Sequence, residues 1–234
     1  TQQETLFPYT TLFRSVIGPI VPLVLVEFEA TRSGVGTALT AMWAVYALAQ
    51  FPSGVFADRF GERRLLLTGL AGTVVGAAAV AVAPSLVLFG AALVVLGGGT
   101  GLFFSPGSSL LSRVYEEHGG ALSALTAGGA LAGVVFPAGA GLVGVRYGWR
   151  VAVAAAALVS LPVVLATLVV IPKTPPAAPD RGLAELLNVG RMVALLKRPS
   201  LAYTTGVAVL TGFTFQAVSS FLPTFMVQYR GVGT

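Results

Sequence analysis

The sequence contains no cysteine and only one histidine among its 234 residues. A disulfide scaffold and cysteine-based metal or redox sites are therefore excluded, and a single histidine is a poor basis for a metal site. Charged residues make up only 10% of the chain, against about 25% in ordinary soluble domains. The apolar fraction is 55% and the mean hydropathy is +0.86. These values exclude an ordinary soluble enzyme as the starting hypothesis.

The scarcity of charge leaves five long runs without any charged residue or histidine. They cover residues 33–57, 65–112, 119–145, 151–172 and 199–229. A helix needs about 20 apolar residues to cross a bilayer, so each run is long enough for one span. The run of 48 residues from 65 to 112 is long enough for two, with Ala83-Pro84-Ser85 as the turn. The sequence therefore predicts an all-α, polytopic membrane bundle with six full spans.

The N-terminal residues are expected to be foreign to this bundle. Residues 5–15 read as the translation of a DNA-sequencing adapter, so we treat residues 1–15 as an artefactual segment. The apolar stretch from Val16 to Val26 would reach only about 16 Å, against about 30 Å of hydrocarbon. We therefore expect a truncated first span. We also expect the chain to be a fragment, because it ends at Thr234 soon after a complete span.

The distribution of basic residues predicts which loops face the cytoplasm. We place the spans at 16–30 (partial), 36–56, 65–83, 86–111, 121–144, 151–171 and 202–228. Loops after the second, fourth and sixth spans hold nine lysines and arginines, whereas the opposite side holds four. The positive-inside rule assigns the nine to the cytoplasm. The lipid bilayer then accounts for the net charge of +5, and no nucleic-acid partner is expected.

An internal repeat supports this topology. The pattern Gly-x4-Arg-aromatic-Gly-x-Arg occurs at Gly54–Arg63 and again 87 residues later at Gly141–Arg150. At the same offset Pro19 corresponds to Pro106. Three spans separate the two copies, so they should lie on opposite faces of the membrane. This is the pattern of an inverted three-plus-three repeat, as found in secondary transporters.

The first copy of the repeat stands in the run Gly54-Val-Phe-Ala-Asp58-Arg59-Phe60-Gly61-Glu62-Arg63-Arg64. This run resembles the signature loop of the major facilitator superfamily, with matches at Gly54, Asp58, Arg59, Gly61 and Arg63. The resemblance covers residues 16–234 and about the first seven of twelve family helices. It implies that Asp58 joins the two six-helix halves on the cytoplasmic side, in a contact that breaks when the protein opens inward.

The chemistry of each residue in this loop suggests a structural role. Gly54 lets a neighbouring helix come close, and Gly61 allows a turn with positive φ. Asp58 can accept hydrogen bonds from the N-terminal amides of an opposing helix. For Arg59, Arg63 and Arg64 the alternative to a role in the gate is that they only anchor the topology.

The fifth span carries a second family feature. Gly129, Gly133, Pro137 and Gly141 are similar to the Gly/Pro-rich fifth-helix motif associated with antiporters. The sequence departs from that motif at Phe136, where a glycine is expected. It departs again in span four, which has no arginine although many drug/proton antiporters carry one there. These departures weaken proton-driven drug antiport and leave only a slight preference for efflux.

Candidates for substrate contact are polar and aromatic residues on the helices that line the family's cavity. Trp43, Tyr46 and Gln50 share one face of span two, and Phe213 and Gln216 share one face of span seven. Interhelical packing is the alternative role for all five.

Charged residues are absent from spans two to seven, so candidates for ion coupling are few. Glu27, at the outer end of span one, is the possible proton or cation site, with a position at headgroup depth as the alternative. Trp149 is expected to be an interfacial anchor. The only histidine, His118, lies beside Glu116 and Glu117 with no nucleophile, so we expect no catalytic residues, no metal and no cofactor.

These observations predict three parts of the chain after the adapter-like segment. Residues 16–171 form the N-terminal bundle, residues 172–201 a cytoplasmic linker with an amphipathic surface helix, and residues 202–234 the first helix of a C-terminal bundle that is otherwise missing.

The predicted function is secondary active transport of a small molecule by alternating access. The protein would be a multi-pass permease of the cell (plasma) membrane. A non-transporting receptor or scaffold of the same fold is the alternative. A membrane-embedded enzyme is less favoured, since it predicts clustered His, Asp or Glu at membrane depth.

Overall fold

The computed structural model describes residues 8–114, 118–171, 175–180, 182, 190, 194, 197–211 and 214. The chain forms two compact units, Thr1–Leu183 and Ala184–Thr234. All regular secondary structure within the described residues is helical. The predicted all-α class is therefore confirmed, whereas the predicted surface helix of the linker falls mostly on residues outside the described ranges.

The first unit contains the helices of the predicted N-terminal bundle. They are α1 (Pro8–Glu27), α2 (Arg32–Phe60), α3 (Glu62–Ala81), α4 (Leu86–Gly101), α5 (Phe104–Val114), α6 (His118–Tyr147) and α7 (Trp149–Val170). Helices α4 and α5 are two parts of the predicted fourth span, separated only by Leu102 and Phe103. In the second unit, residues 199–211 form helix α8.

Local chemistry explains where several helices begin and bend. Thr31 caps α2, since its hydroxyl accepts a hydrogen bond from the Gly34 N–H at 3.1 Å. Ser85 caps α4 in the same way, at the turn predicted from Pro84. Helix α2 bends by 46° at Pro52, because proline removes a backbone donor and its ring clashes with the preceding turn.

The core of the first unit lies between tightly packed helix pairs. Helix α1 packs against α6 and α7, α2 against α4, and α3 against both α4 and α7. Fully buried side chains from four of these helices meet in the core: Ile20, Leu66, Leu70, Phe89, Leu93 and Val153. The opposite faces of the helices are apolar as well, with Val145 82% exposed and Val169 85% exposed. A surface of this composition suits lipid rather than water.

Small residues allow a very close helix contact between α3 and α4. A Cβ atom added at Gly76 would lie 2.6 Å from the Cα of Leu96, and one at Gly99 would lie 2.6 Å from the carbonyl carbon of Gly72. Real Cβ atoms do not approach backbone so closely, so only glycine fits at these positions. Close backbone packing at small residues is the usual basis of helix association in a membrane.

Fewer spans than the predicted six can be counted within the described residues. By length and composition alone, three helical stretches among the described residues could cross a membrane: Glu62–Ala81, Leu86–Leu110 and Trp149–Val169. The bent helix α2 would be a fourth. The apolar part of α6 within these residues, Leu131–Tyr147, is shorter than a full span. The seventh predicted span, 202–228, lies largely outside the described residues.

Helix α1 begins earlier than the sequence predicted. We expected it to start at Val16, whereas the hydrogen-bonded helix starts at Pro8 and has 20 residues. Its apolar stretch, Val16–Glu27, is nevertheless too short to qualify as a span. The difference arises because backbone hydrogen bonds can continue a helix into residues that are not apolar. The artefactual origin of residues 1–15 stays a prediction.

Candidate functional site

The loop between α2 and α3 consists of one residue, Gly61. Its backbone has φ 90° and ψ 140°, and its N–H donates to the Ala57 carbonyl at 2.9 Å. Residues with a side chain rarely adopt such a conformation. The positive φ that the sequence predicted at Gly61 is therefore present, and it lets two long helices meet at a single residue.

Two charged side chains beside this turn have specific partners. The guanidinium of Arg63 donates to the Leu168 carbonyl at 2.7 Å, which ties the first turn of α3 to the last turn of α7. A cation at this position also stabilises the negative end of the α7 dipole. Glu62 is only 3% exposed, and its carboxylate accepts from the Ser109 hydroxyl at 2.7 Å. Arg63 thus does more than set the topology.

The other residues of the signature loop are spread around the end of α2. A Cβ added at Gly54 would lie 3.0 Å from the Ser105 hydroxyl, so the neighbour that comes close here is α5 of the same bundle. Asp58 is exposed, and its backbone carbonyl accepts from the Ala178 N–H at 2.8 Å. The Arg59 guanidinium lies 5.6 Å from the centre of the Phe60 ring. Arg64 is exposed.

The second copy of the repeat repeats this turn in detail. Gly148 alone joins α6 to α7, with φ 91° and ψ 152°. Its N–H donates to the Gly144 carbonyl at 2.9 Å, and its carbonyl accepts from the Ala152 N–H at 3.3 Å. The corresponding bonds of Gly61 have the same lengths. The Arg146 guanidinium also lies over the Tyr147 ring, at 5.9 Å. The repeat seen in the sequence is therefore a repeat of structure.

The two turns lie at opposite ends of helix α3. Gly61 directly precedes α3, where Arg63 bonds to the end of α7. At the other end, the Arg150 guanidinium donates to the Ala83 carbonyl at 2.7 Å. A helix of 20 residues is about 30 Å long, so the turns are separated by about the thickness of a hydrocarbon core. This arrangement is the inverted repeat predicted from the sequence.

Glu27 belongs to the cluster at the Gly148 end. Its carboxylate accepts hydrogen bonds from the Trp149 indole N–H and from the Arg150 guanidinium. Trp149 is only 3% exposed and packs edge-on against Phe89 and Phe28. The expectation that Trp149 is an interfacial anchor is wrong, because its ring is buried in the bundle instead of being exposed. These bonds give Glu27 a structural role, and its role in coupling stays a prediction.

The candidate substrate contacts on α2 form a small aromatic patch. The rings of Trp43 and Tyr46 meet edge to face with centroids 5.6 Å apart, and Trp43 is 37% exposed. Gln50 lies one turn further along α2, and its backbone carbonyl accepts a hydrogen bond from the Ser53 hydroxyl at 2.7 Å. Phe213 and Gln216 lie outside the described residues.

The residues of the fifth-helix motif lie on α6, which corresponds to the predicted fifth span. This helix continues through Pro137 without a break. A Cβ at Gly141 would contact Pro19 of α1 at 3.8 Å, whereas one at Gly133 would meet nothing within 4 Å. Gly129 lies on the same helix. The motif thus shares a helix, and of its two glycines whose surroundings the structure describes, Gly141 approaches α1 and Gly133 does not.

Sequence reasoning missed three bonds near the signature loop. The acceptors for Arg63 and Ala178 are backbone carbonyls, which carry no sequence signal. The Glu62–Ser109 bond joins residues from two helices. Only the acidic residue inside the basic run at Glu62 hinted at a buried partner. Among the residues that the structure describes, no three histidines or carboxylates come together as metal ligands.

The family model of the major facilitator superfamily matches residues 9–234. No curated protein sequence matches the chain.

Solved structures of POT family transporters have the same fold. One, in complex with 5-aminolevulinic acid, has 14% identity and a TM-score of 0.67 over 97% of this chain and 49% of its own. Another, a POT peptide transporter mutant in complex with sulfate, has 16% identity and a TM-score of 0.64 over 99% and 47%. A third, tetrameric PepTSo2, has 22% identity and a TM-score of 0.61 over 92% and 53%.

The chain therefore spans about half the length of these transporters. The family match covers nearly the whole chain, and the signature loop, the inverted turns and the helical fold agree with it. The chain belongs to the major facilitator superfamily and is a multi-pass membrane protein.

Proposed function

We propose that this chain provides the N-terminal bundle of a secondary transporter that moves a small solute across the cell membrane by alternating access. In this proposal residues 16–171 form the bundle, residues 172–201 the linker, and residues 202–234 the first helix of a second bundle. The observation that carries it is the pair of matching turns at Gly61 and Gly148, at opposite ends of α3. Inverted repeats of this kind underlie alternating access in secondary transporters.

The signature loop is proposed to act as the cytoplasmic gate. Arg63 holds α3 to the end of α7, and the Gly61 turn fixes the direction in which α2 ends. The exposed carboxylate of Asp58 is then presented at a rigid corner of the bundle. An anion at this position is suited to the N-terminal amides of a helix in the second bundle. Breaking that contact would open the protein inward.

The solute is proposed to bind near the membrane midplane, with Trp43, Tyr46 and Gln50 as contacts from this bundle. Export is favoured slightly by the Gly/Pro-rich residues of α6. The transporters of the same fold include one in complex with 5-aminolevulinic acid and proton-dependent oligopeptide transporters. Small amino acids and short peptides are therefore the first solutes to test, with protons as the first coupling ion and Glu27 as the first residue to test for coupling.

Reconstitution into liposomes tests this function. A two-bundle protein that contains this chain should exchange a labelled solute across the membrane, and the Asp58→Asn variant should slow the exchange. The isolated 234-residue chain should give no more flux than empty liposomes, since the second wall of the cavity is not part of it. Saturable binding without flux by the two-bundle protein would instead favour a receptor or scaffold. Flux by the isolated chain would contradict the two-bundle mechanism.

A further inference from the structure

A groove opens beside the Gly61 turn, between the ends of α2 and α3 and the break between α4 and α5. Its volume is about 440 Å³. The residues that line it are Phe56, Phe60, Arg64, Leu65, Thr68 and Leu102. Four of these six side chains are purely apolar, and Arg64 is the only charged one. The groove thus combines an apolar wall with a single cation.

The groove continues into an exposed stripe along helix α3. Arg64, Thr68, Ala71, Val75 and Ala78 are all exposed and follow one another at steps of three and four residues. Such steps place side chains on one face of a helix. Helix α3 is long and apolar enough to cross a membrane, and an exposed apolar stripe on such a helix suits contact with lipid. The stripe is apolar beyond Thr68 and ends in the cation of Arg64.

The groove is distinct from the face of α2 that carries the proposed gate. Gly54 and Asp58 are four residues apart and lie on one side of α2, where Gly54 approaches Ser105. Phe56 and Phe60 are each two residues further along, which is about 200° around the helix. The two phenyl rings have centroids 6.3 Å apart and form one wall of the groove. Ligand bound there leaves Asp58 accessible.

Arg64 is the arginine of the signature loop that remains available to an anion. Arg63 donates to the Leu168 carbonyl, and Arg59 lies over the Phe60 ring. The nearest buried acid, Glu62, accepts from Ser109. Within the described part of the chain, Arg64 makes no side-chain hydrogen bond or ion pair. The positive-inside rule places it at the level of the cytoplasmic headgroups.

We propose that this groove binds an anionic phospholipid from the cytoplasmic leaflet. The phosphate pairs with the Arg64 guanidinium, and an acyl chain lies against Phe56, Phe60 and Leu102 and continues along the stripe of α3. Guanidinium is the side chain best matched to phosphate, and only a lipid presents an anion at the end of a long apolar chain in this position. The proposal depends on α3 lying in a bilayer but not on transport.

Native mass spectrometry of the 234-residue chain can test the site. The chain is released from nanodiscs that contain equal amounts of dioleoyl-phosphatidylglycerol and dioleoyl-phosphatidylcholine, and the retained lipids are counted. We expect retention of phosphatidylglycerol in preference to phosphatidylcholine. Arg64→Gln should reduce this preference about fivefold, the effect of one basic group at an anionic surface. The matched control Arg146→Gln removes an exposed arginine outside the groove and should change nothing.

A second variant tests the contribution of the groove independently of the Arg64 charge. Thr68→Phe fills the groove from an exposed position and leaves Arg64 in place, so it should reduce retention of both lipids. Circular dichroism verifies that each variant keeps its helix content. Equal retention of the two lipids by the unaltered chain would overturn the proposal, and so would an equal loss in Arg146→Gln.

The single cysteine of Ala71→Cys lies on the exposed stripe just beyond the groove and distinguishes other occupants, because the chain has no cysteine of its own. A fluorophore on this residue should be quenched by brominated phosphatidylglycerol. If the fluorophore is instead shielded from the quencher, and the shielding increases with protein concentration, a second copy of the chain covers the groove. Shielding that appears only in a two-bundle protein would assign the groove to a helix of the second bundle. Either result would reject the lipid site.

Discussion

Glu27 and Trp149 lie 122 residues apart in sequence, and the Trp149 indole N–H donates to the Glu27 carboxylate. This bond joins the last residue of α1 to the first residue of α7. Arg150 adds a second bond to the same carboxylate and a bond to the Ala83 carbonyl at 2.7 Å. The Glu27 carboxylate therefore joins the ends of α1 and α7, and Arg150 links them to Ala83, just beyond the end of α3.

Removal of this acid should destabilise the bundle. Because Trp149 is 3% exposed, Glu27→Ala leaves a buried indole donor without its acceptor, which costs about 1–3 kcal/mol. Unfolding of the chain in detergent micelles, followed by circular dichroism, measures the loss. Glu29→Ala removes an exposed acid two residues away and should change the free energy of unfolding by about 0.5 kcal/mol or less.

A double-mutant cycle isolates the bond itself. Trp149→Phe keeps an aromatic ring against Phe89 and removes the donor. When this change is already present, Glu27→Ala should cost clearly less than it does alone. Strict additivity of the two changes would show that the bond contributes nothing to stability.

The close approach of α3 and α4 predicts a strong effect of one methyl group. Gly76→Ala would place a Cβ 2.6 Å from the Leu96 backbone, and the helices would have to move apart. We expect a loss of about 1–3 kcal/mol, as for other overpacked cores. Gly36→Ala in α2, where a Cβ meets nothing within 4 Å, is the control. A comparable loss in both variants would rule out helix contact as the cause.

The inverted repeat predicts which residues can be labelled from each side of the membrane. Phe60 and Tyr147 are equivalent positions of the repeat, and they are 43% and 64% exposed. Single cysteines at these positions, treated with an impermeant maleimide, should react from opposite sides. Phe60→Cys should react in inside-out vesicles and Tyr147→Cys in intact cells. Reaction of both from the same side would contradict the topology.

The bond from the linker to the signature loop predicts protection of the linker from protease. Ala178→Pro removes the N–H that donates to the Asp58 carbonyl at 2.8 Å. A bond of about 0.5–1.5 kcal/mol corresponds to cleavage by trypsin that is about two to ten times faster. Ala177→Pro stiffens the linker equally and keeps the N–H of residue 178. An equal acceleration in this control would attribute the effect to proline rather than to the bond.

The sequence predicted the signature turn well because its cause is local. A residue with φ 90° at the junction of two helices must be glycine, and both Gly61 and Gly148 are visible as repeats in the sequence. The turn at Ala83-Pro84-Ser85 was predictable for the same reason, since proline and a capping serine act on their neighbours. The start of α1 was predicted eight residues too late, because composition does not report where backbone hydrogen bonds continue.

The partners of charged side chains were not predictable. Trp149 looked like an interfacial anchor because tryptophan beside arginine is common there, yet it is buried against Phe89. Its partner Glu27 is on another helix, and nothing in the local sequence of either residue indicates the other. The same holds for Arg63 and the Leu168 carbonyl.

The sequence by itself therefore determined that this chain is a set of apolar helices joined by tight turns in an inverted repeat. It could do so because hydropathy and backbone conformation depend on residues close in the chain. Only the tertiary structure decided which helices pack together, where Glu27, Arg63 and Trp149 find their partners, and that a groove lined by Arg64 opens beside the signature loop. Those features depend on the distances between helices, which are set by the packing of the whole bundle.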